Sequence, residues 1–348
     1  MLPFGVVVPT KNSMRYLPAH LANLAAWIDL AEQVVVVDSD STDGTVEFLK
    51  KNLRHPRVCF ATHPPGLYAS WNHGIRQLTT EFCYLSTVGD SVSRAGLEHL
   101  VSTAAELRCD VLVSRPDFLN EAGEPVPGPD WPMAEMVRRL NLAAPVRLPA
   151  AIVLATALTH TGGAITGSCA SDVFRTAILQ QAPFPLDFGT AGDGAWCLQQ
   201  AARLQWAATP AKVTTFRCHP PTASAGEVKT AATAEQLALM ARQAVLEWLA
   251  ADPHTPSTAM RAHFRQLMEL LTEHAAVSRR YNSLRKTKWP WFMNRAAWQA
   301  RSRRDQIKPK LARVIDNIYQ SVDSGWSGRQ NFTARSHDVP CHQAGGTP

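Results

Sequence analysis

Several features that define other classes of protein are scarce or missing in this sequence. Its 7 cysteines are scattered and include no C-x-x-C pair, which argues against a disulfide framework and a zinc site and favours a reducing compartment. The longest apolar run, near 150–158, is far shorter than the roughly 20 residues of a membrane-spanning helix. No signal peptide precedes the first apolar run. We therefore expect a cytoplasmic protein, either soluble or peripheral on the inner face of the membrane.

A glycine-rich phosphate loop is also missing after the first apolar run, at 4–8. The residues that follow this run are Pro9, Thr10, Lys11 and Asn12, with no G-x-G-x-x-G. Because that pattern lets a backbone approach a pyrophosphate closely, its absence disfavours a dinucleotide fold of the dehydrogenase kind.

Positive charge is concentrated in one part of the 348 residues, whose formal net charge is +6. Twelve Lys and Arg residues lie between Arg279 and Arg313, where Asp305 is the only acidic residue. A composition of 45% hydrophobic and 18% charged residues is typical of a globular chain, here long enough for about two domains. The charge pattern predicts one local basic surface and not a generally cationic protein.

The most informative stretch is 34–45, which reads V-V-V-V-D-S-D-S-T-D-G-T. Four β-branched residues in a row predict a strand buried on both faces of a parallel sheet, and the polar cluster behind them predicts a loop. Ligands of open parallel sheets bind at that edge. Asp38 could accept hydrogen bonds from a base or a ribose. Alternatively, Asp38, Asp40 and Asp43 could only cap turns.

Apolar strands alternate with helical apolar spacing over the first third of the chain. The predicted strands are 4–8, 34–38, 58–61, 82–87 and 110–114, and the predicted helices are 16–28, 46–49 and 67–78. Ser41 or Thr42 is expected to cap the second helix. This alternation predicts an α/β fold with a doubly wound, mostly parallel sheet.

Four motifs in this region carry a resemblance to a known family. In order they read P-T-K-N, V-V-V-V-D-S-D-S-T-D-G-T, G-L-Y-A-S-W-N-H-G-I and Y-L-S-T-V-G-D-S. Together they resemble the N-terminal half of an inverting family 2 glycosyltransferase of the GT-A fold, in a subgroup that includes colanic-acid-type and other polysaccharide enzymes. The resemblance implies transfer of a sugar from a nucleotide-sugar, usually with a divalent metal.

The same resemblance implies roles for individual residues. Pro9, Thr10 and Asp38 would face the base and the ribose, with Asn12 and Asp40 beside them. Asn72 would lie near the donor.

Asp90 would match the last carboxylate of the family's metal-binding D-x-D motif. The chain departs from the family here, because Thr87-Val88-Gly89-Asp90 keeps a single carboxylate. Mg²⁺ or Mn²⁺ held largely by a diphosphate needs only one or two protein carboxylates, so a metal stays plausible. The alternative is that Asp90 is a turn residue beside Gly89.

Asp193 is the predicted catalytic base. The segment 190–196, T-A-G-D-G-A-W, resembles the family's E-D or G-D pair before a helix. Inverting transfer needs a carboxylate to accept the proton of the acceptor hydroxyl, and the positive end of a helix dipole favours the ionised carboxylate. The alternative is that Asp193 only caps the helix, and Asp187 is the second candidate for the base.

The segment Phe216-Arg217-Cys218-His219 resembles an R-x-H element of the family. Arg217 could neutralise the charge that builds on the leaving diphosphate, and His219 could complete a metal shell with Asp90. The alternative for His219 is an ordinary surface residue.

The C-terminal third has a different pattern. Helical spacing predicts helices at 231–249 and 260–277, which could pack as a hairpin on the catalytic domain or form a dimer contact. Trp289, Trp291, Phe292 and Trp298 are interleaved with the basic residues of 279–313. This composition fits an anionic membrane surface or, alternatively, a solvated basic face over a packed helix; nucleic acid is the least favoured partner.

These observations give one overall prediction. Residues 1–224 would form the catalytic domain, 225–320 a helical extension and 321–348 a disordered tail, while 133–158 could hold an acceptor-side helix or a mobile lid. The enzyme would transfer sugar, most simply from a UDP-sugar, to a saccharide or lipid-linked acceptor in cell-surface polysaccharide or glycoconjugate synthesis. The rival is a catalytically silent relative that binds nucleotide-sugars or scaffolds a membrane assembly, and a homodimer is left open.

Overall fold

The alternating pattern produces a layered α/β fold in the computed structural model, which describes residues 2–160, 163–218, 231–251, 257–285 and 295–323. The strands are β1 Phe4–Thr10, β2 Gln33–Asp38, β3 Val58–Thr62, β4 Phe82–Leu85, β5 Ser91–Val92, β6 Val111–Val113, β7 Asp117–Leu119, β8 Val146–Arg147, β9 Val173–Arg175, β10 Trp206–Ala208 and β11 Thr214–Arg217. The helices are α1 Leu17–Ala25, α2 Thr45–Asn52, α3 Leu67–Arg76, α4 Arg94–Glu106, α5 Pro132–Arg139, α6 Ala150–Thr159, α7 Thr176–Gln181, α8 Gly192–Gln200, α9 Ala231–Ala251, α10 Thr258–Arg285 and α11 Arg295–Asp323.

The main sheet has eight strands in the order β3-β2-β1-β4-β9-β6-β10-β8. The pairs among β3, β2, β1 and β4 are parallel, as is the pair of β6 and β10. Strands β9 and β8 run antiparallel to their neighbours. The predicted mostly parallel α/β sheet is therefore confirmed, and the carboxyl ends of β1, β2, β4 and β6 point to one edge.

Strand β2 shows why the sheet is covered on both faces. Val34 and Val36 pack in one hydrophobic cluster with α1 and α4, whereas Val35 and Val37 pack in the other with α3. Successive strand side chains point to opposite faces, so a run of four valines needs apolar partners on both sides. The predicted doubly buried strand is confirmed.

A second sheet of three strands, in the order β5-β11-β7, lies beyond the carboxyl ends of the main strands. Strand β11 pairs antiparallel with β5 and parallel with β7. A hydrogen bond of 2.6 Å between the hydroxyls of Ser91 and Thr215 joins β5 to β11. This small sheet holds the residues just after Asp90, in β5, next to the strand that ends at Arg217, β11.

The predicted cap of α2 is wrong. The helix begins at Thr45, and its N-cap is Gly44, whose φ of +88° is the left-handed conformation that glycine adopts at little cost. Asp43 accepts hydrogen bonds from the Thr45 backbone N–H and hydroxyl. The Ser41 hydroxyl does not cap this helix: it donates to Asp38 and accepts a hydrogen bond from the Asn12 backbone N–H at 2.8 Å.

Helix α6 fills the region that could not be assigned from the sequence. Residues 151–158 are all buried, because α6 lies between α5, α8, α9 and α11. A helix that is apolar on every side belongs in a core. The possibility of a mobile lid at 150–159 is therefore wrong for this segment.

The C-terminal helices pack on the α/β unit. Helix α9 contacts α8, α10 and α11 form an antiparallel hairpin, and α11 contacts α6. The Tyr319 hydroxyl lies 3.3 Å from the Thr156 hydroxyl, and Arg139 forms an ion pair with Asp316. Among the described residues, no helix has both the length and the hydrophobicity to cross a membrane.

Candidate active site

Asp38 lies at the carboxyl end of β2 beside Thr10 at the end of β1, and is 5% exposed. Its Oδ1 accepts hydrogen bonds from the hydroxyls of Thr10, at 2.9 Å, and Ser41, at 2.6 Å. Its Oδ2 accepts one from the Ser41 backbone N–H at 2.9 Å. A carboxylate has about four acceptor positions, so these three bonds fix its orientation and leave one position for a ligand.

The loops after β1 and β2 are joined by further hydrogen bonds. Asn12 accepts one from the Thr42 backbone N–H at 2.9 Å, and Lys11 donates one to the Asp40 carbonyl at 2.7 Å. Asn12 and Asp40 have φ of +46° and +53°, a left-handed conformation that asparagine and aspartate tolerate better than most residues. The structure thus brings Pro9, Thr10, Asn12, Asp38 and Asp40 together at one edge.

Asp90 follows β4 at the same edge and is 8% exposed. Its Oδ2 accepts hydrogen bonds from the hydroxyls of Thr87, at 2.6 Å, and Ser168, at 3.1 Å, while its Oδ1 accepts one from the Arg217 backbone N–H at 3.1 Å. Burial raises the pKa of this carboxyl to about 6, against the lowering effects of those bonds and of the Arg217 charge. A positive group bound here would therefore favour its ionised form.

The turn 168–171 supports Asp90 from below, and sequence reasoning missed it. A short helical turn at Cys169–Ser171 precedes β9, which begins at Val173. The turn receives hydrogen bonds from three other parts of the fold: Tyr84 to the Ala170 carbonyl, Ser114 to the Ser171 carbonyl and Thr214 to the Ser171 hydroxyl. Ser168 thus presents its hydroxyl to Asp90 from a rigid support.

Asp193 lies in the first turn of α8, as predicted. A Cβ at the preceding Gly192 would lie 2.6 Å from the Tyr68 ring, so only glycine lets this ring reach the start of α8. Burial, followed by the negative charge of Asp193, raises the pKa of the Tyr68 hydroxyl, which forms hydrogen bonds with Asp193. Tyr68 is therefore a neighbour of the predicted base that the sequence did not single out.

Asp193 and Asp90 are linked through one short turn. Burial, followed by the charges of Asp172 and Asp193, raises the pKa of the Cys169 thiol, so Asp193 lies within electrostatic reach of Cys169. The adjacent Ser168 donates its hydrogen bond to Asp90. The predicted base and Asp90 therefore both lie near this turn.

The polar groups of Asn72 and Arg217 form hydrogen bonds with the backbone of other segments of the protein. The Asn72 amide donates to the Phe184 carbonyl at 2.8 Å and accepts from the Phe184 N–H at 3.0 Å. The Arg217 guanidinium donates to the carbonyls of Asn120, at 3.2 Å, and Glu121, at 2.8 Å. Donor contacts from these two side chains stay predictions.

His20 is a second neighbour of Asp90 that sequence reasoning missed. The ring is 4% exposed, with Nδ1 lying 3.3 Å from the Asp90 carbonyl and Nε2 lying 3.3 Å from the Ser86 hydroxyl. Burial lowers its pKa to about 4, so the ring is neutral at neutral pH. A carbonyl can only accept, so Nδ1 carries the hydrogen and holds the Asp90 backbone.

Part of the predicted C-terminal surface lies outside the described residues, as does His219. This applies to Trp289, Trp291 and Phe292. Within α11, Trp298 is 49% exposed and the Arg301 guanidinium lies 5.8 Å from its ring. Arg303 forms an ion pair with Glu273 on α10. Some of the positive charge of 279–313 therefore stabilises the α10–α11 hairpin.

Comparison with known proteins adds to this geometry. Residues 5–148, which contain Asp38 and Asp90, match the family model described as glycosyl transferase family 2. The chain carries a family 2 glycosyltransferase domain. This glycosyltransferase domain is similar to the poly(ribitol-phosphate) beta-N-acetylglucosaminyltransferase TarS of Staphylococcus aureus, with 30% identity over 133 residues. That alignment covers 36% of this chain and 23% of TarS, so the chain matches less than a quarter of its curated relative's length.

Solved structures show the same fold around the glycosyltransferase domain. The crystal structure of TarS 1–349 in complex with UDP-GlcNAc has a TM-score of 0.58 and 17% identity, covering 93% of this chain and 92% of that chain. The complex of TarS 1–349 with UDP has a TM-score of 0.56 and 19% identity at the same coverage. This likeness concerns the fold, and the predicted GT-A fold is confirmed.

The divalent cation that such glycosyltransferases generally use can be compared with the residues at Asp90. Three hydrogen bonds occupy the carboxylate, which leaves one acceptor position on Oδ1. No group of three or more His, Cys, Asp or Glu side chains able to hold a metal occurs among the described residues. Asp90 therefore fits a cation that a diphosphate carries with it and the protein holds through one ligand.

Proposed function

We propose that this family 2 glycosyltransferase transfers a sugar from a nucleotide-sugar to an acceptor hydroxyl, with inversion at the anomeric carbon. Asp38 would hold the nucleoside, Asp90 would hold the diphosphate with its cation, and Asp193 would be the base. The match of 5–148 to the family favours an enzyme over a catalytically silent relative.

The observation that carries this proposal is the arrangement of three carboxylates. Asp38 and Asp90 follow parallel strands whose carboxyl ends meet at one edge, which is where ligands bind in open sheets. Asp193 lies in the first turn of α8, within electrostatic reach of the turn that supports Asp90. In this proposal Asp38 would serve the nucleoside, Asp90 the diphosphate and Asp193 the acceptor.

The proposed mechanism needs little movement of these groups. The acceptor oxygen attacks the anomeric carbon while the nucleoside diphosphate leaves from the opposite face, and Asp193 accepts the hydroxyl proton. Tyr68, held against Gly192, would keep the Asp193 carboxylate in one orientation. A bound Mg²⁺ or Mn²⁺ would neutralise charge on the leaving diphosphate, with Asp90 as its protein ligand and His219 as a second candidate.

The donor and acceptor are proposed from chemistry and from the relatives. UDP and UDP-GlcNAc are bound in the TarS structures, and TarS is named for its action on poly(ribitol-phosphate). We propose a UDP-sugar as the donor here. The acceptor would be a hydroxyl-rich saccharide, polyol phosphate or lipid-linked chain in cell-surface polysaccharide or glycoconjugate synthesis.

The remaining predictions on organisation belong with this proposal. The catalytic domain would span 1–224, the helical extension 225–320 and the tail 321–348. A cytoplasmic location, contact of 279–313 with the inner membrane surface, and a homodimer are further parts of it. Exposed Trp298 with Arg301 favours the membrane contact, whereas the ion pair of Arg303 with Glu273 favours a solvated basic face.

Substitution of Asp193 by Asn tests the proposal. We expect Asp193→Asn to lower kcat for transfer from UDP-GlcNAc by about 100-fold or more, the usual range for loss of a general base. Calorimetric affinity for UDP-GlcNAc with Mn²⁺ should stay within about twofold, because Asp193 lies on the acceptor side.

Asp187→Asn is measured in parallel. Loss of transfer in Asp187→Asn alone would move the base to Asp187. Unchanged transfer in both variants would contradict a carboxylate base at this position.

A further inference from the structure

Arg115 is a cation without a partner at the carboxyl edge of the sheet. It lies two residues after the end of β6, its side chain is half-buried, and its Nε is shielded from solvent with no hydrogen-bond partner among the described residues. No ion pair or hydrogen bond of its guanidinium occurs within the part of the chain that the structure describes. A shielded Nε–H without a partner costs free energy, so such a group suggests a missing anion.

Two other arginines near this part of the fold, in contrast, have carboxylate partners. Arg138 binds Asp130 through two hydrogen bonds of 2.8 and 3.1 Å, and Arg175 binds Glu81 at 2.9 Å. Arg138 lies close to Arg115, since both charges lower the pKa of the Asp130 carboxyl, with the Arg138 hydrogen bond as the largest cause. Asp130 is therefore already paired, and Arg115 supplies surplus positive charge.

The backbone at Arg115 is fixed to the turn that supports Asp90. The Ser114 N–H donates to Asp172 at 3.1 Å, and its hydroxyl donates to the Ser171 carbonyl at 2.6 Å. The following Pro116 is buried and has a restricted φ. Arg115 thus leaves the sheet from a rigid position close to the candidate active site.

The strand order separates Arg115 from the donor residues. Thr10 and Asp38 end β1 and β2, and Asp90 follows β4. Strand β6 lies two positions beyond β4 in the sheet, with β9 between them. At a strand spacing of about 4.8 Å, β6 is roughly 10 Å from β4 on the side away from the nucleoside. Asp130, which precedes α5, lies within electrostatic reach of Arg115 on this half of the edge.

We propose that Arg115 binds a phosphate group of the acceptor and makes the enzyme specific for a polyol-phosphate chain. A guanidinium matches the two oxygens of a phosphate with two parallel hydrogen bonds, which a neutral saccharide cannot accept with the same strength. With its phosphodiester held at Arg115, roughly 10 Å from β4, the acceptor would present the hydroxyl of a neighbouring polyol unit to the base. This inference rests on the proposed glycosyl transfer and extends it to the class of acceptor.

The test compares two acceptors in the full chain: a synthetic ribitol-phosphate oligomer and an uncharged oligosaccharide, both with UDP-GlcNAc. Arg115→Gln should raise KM for the phosphate oligomer by about 10-fold or more, as expected for hydrogen bonds to a charged group, and weaken its dependence on salt. Arg115→Lys should recover part of this loss. KM for UDP-GlcNAc should change less than about twofold, and Arg94→Gln, an exposed arginine paired with Asp29, is the charge-matched control.

Three outcomes overturn the inference. These are an unchanged KM for the phosphate oligomer, an equal loss with the uncharged acceptor, and a rise in the donor KM, which would assign Arg115 to the donor diphosphate. If the wild type transfers sugar to neither acceptor, binding of ribitol 5-phosphate to wild type and Arg115→Gln is measured by NMR titration. A loss of binding in the variant supports the phosphate site even where the proposed donor or reaction is wrong, and equal binding rejects it.

Discussion

Asp172 offers a sharp test of the energetics beneath the active site. Its side chain is fully buried, Oδ1 accepts a hydrogen bond from the Ser114 N–H at 3.1 Å, and Oδ2 has no partner. Burial raises the pKa of this carboxyl well above its usual range. The folded state therefore binds this proton more tightly than the unfolded state does, and the protein should lose stability as the pH rises above about 4.

The substitution Asp172→Asn removes this pH dependence while keeping the shape. Above the pKa of the unfolded state, the unfolded chain releases this proton while the folded state keeps it. Each pH unit in this range lowers the free energy of unfolding by about 1.4 kcal/mol. Counted from the reference pKa of 3.8, the loss in the free energy of unfolding is at most about 4 kcal/mol at pH 7. The amide of the variant and the protonated acid of Asp172 both place a hydrogen-bond donor without a partner at this position, so the cost of the unpaired donor is similar in the two proteins. We therefore expect Asp172→Asn to raise the free energy of unfolding by about 1–3 kcal/mol at pH 8.

Thermal unfolding at several pH values measures the effect. Asp172→Asn should melt roughly 1–4 °C above wild type at pH 8 and at nearly the same temperature near pH 4. Asp187→Asn, which removes an exposed carboxylate of the same size, is the control and should follow wild type at both pH values. An Asp172→Asn variant whose advantage does not grow between pH 5 and 8 would refute this reasoning.

Three further substitutions separate positioning from binding. Tyr68→Phe keeps the ring stacked 5.6 Å from Phe184 but loses the hydroxyl beside Asp193, so kcat should fall about 10-fold at unchanged donor affinity; a wild-type rate would show that the hydroxyl is dispensable. Asn72→Ala should cost about 1–3 kcal/mol in thermal unfolding through two lost bonds to Phe184, and a weaker donor Kd without destabilisation would indicate a donor contact instead. Asp90→Asn should reduce the gain in UDP affinity on adding Mn²⁺ by about 10-fold in calorimetry; an unchanged gain would place the cation elsewhere.

Local chemistry made part of this molecule predictable. The valines of β2 need apolar neighbours on both faces, and the polar residues that follow must end the strand at a loop, so Asp38 was assigned to the sheet edge correctly. The start of α8 was predicted equally well, because its motif is contained within a few residues.

The parts that were missed depend on contacts distant in sequence. Ser168 and Asp90 are 78 positions apart, and Asn72 and Phe184 are 112 positions apart, so no local pattern links them. His20 lies in a helix whose sequence gives no indication that its ring contacts the Asp90 carbonyl. The predicted cap of α2 was wrong because the Ser41 hydroxyl accepts a hydrogen bond from the Asn12 N–H, 29 positions away, a tertiary contact that local propensity does not encode.

Helix α6 has a consequence for how this gene could be divided or recombined. Its buried faces are covered in part by α9 and α11, and Thr156 contacts Tyr319 near the end of the described chain. A fragment ending near residue 224 would retain every described candidate catalytic residue yet expose an apolar helix to water. The boundary that divides the chemistry is therefore a poor place to cut the polypeptide, and chimaeras that exchange acceptor specificity should carry α6 and the C-terminal helices together.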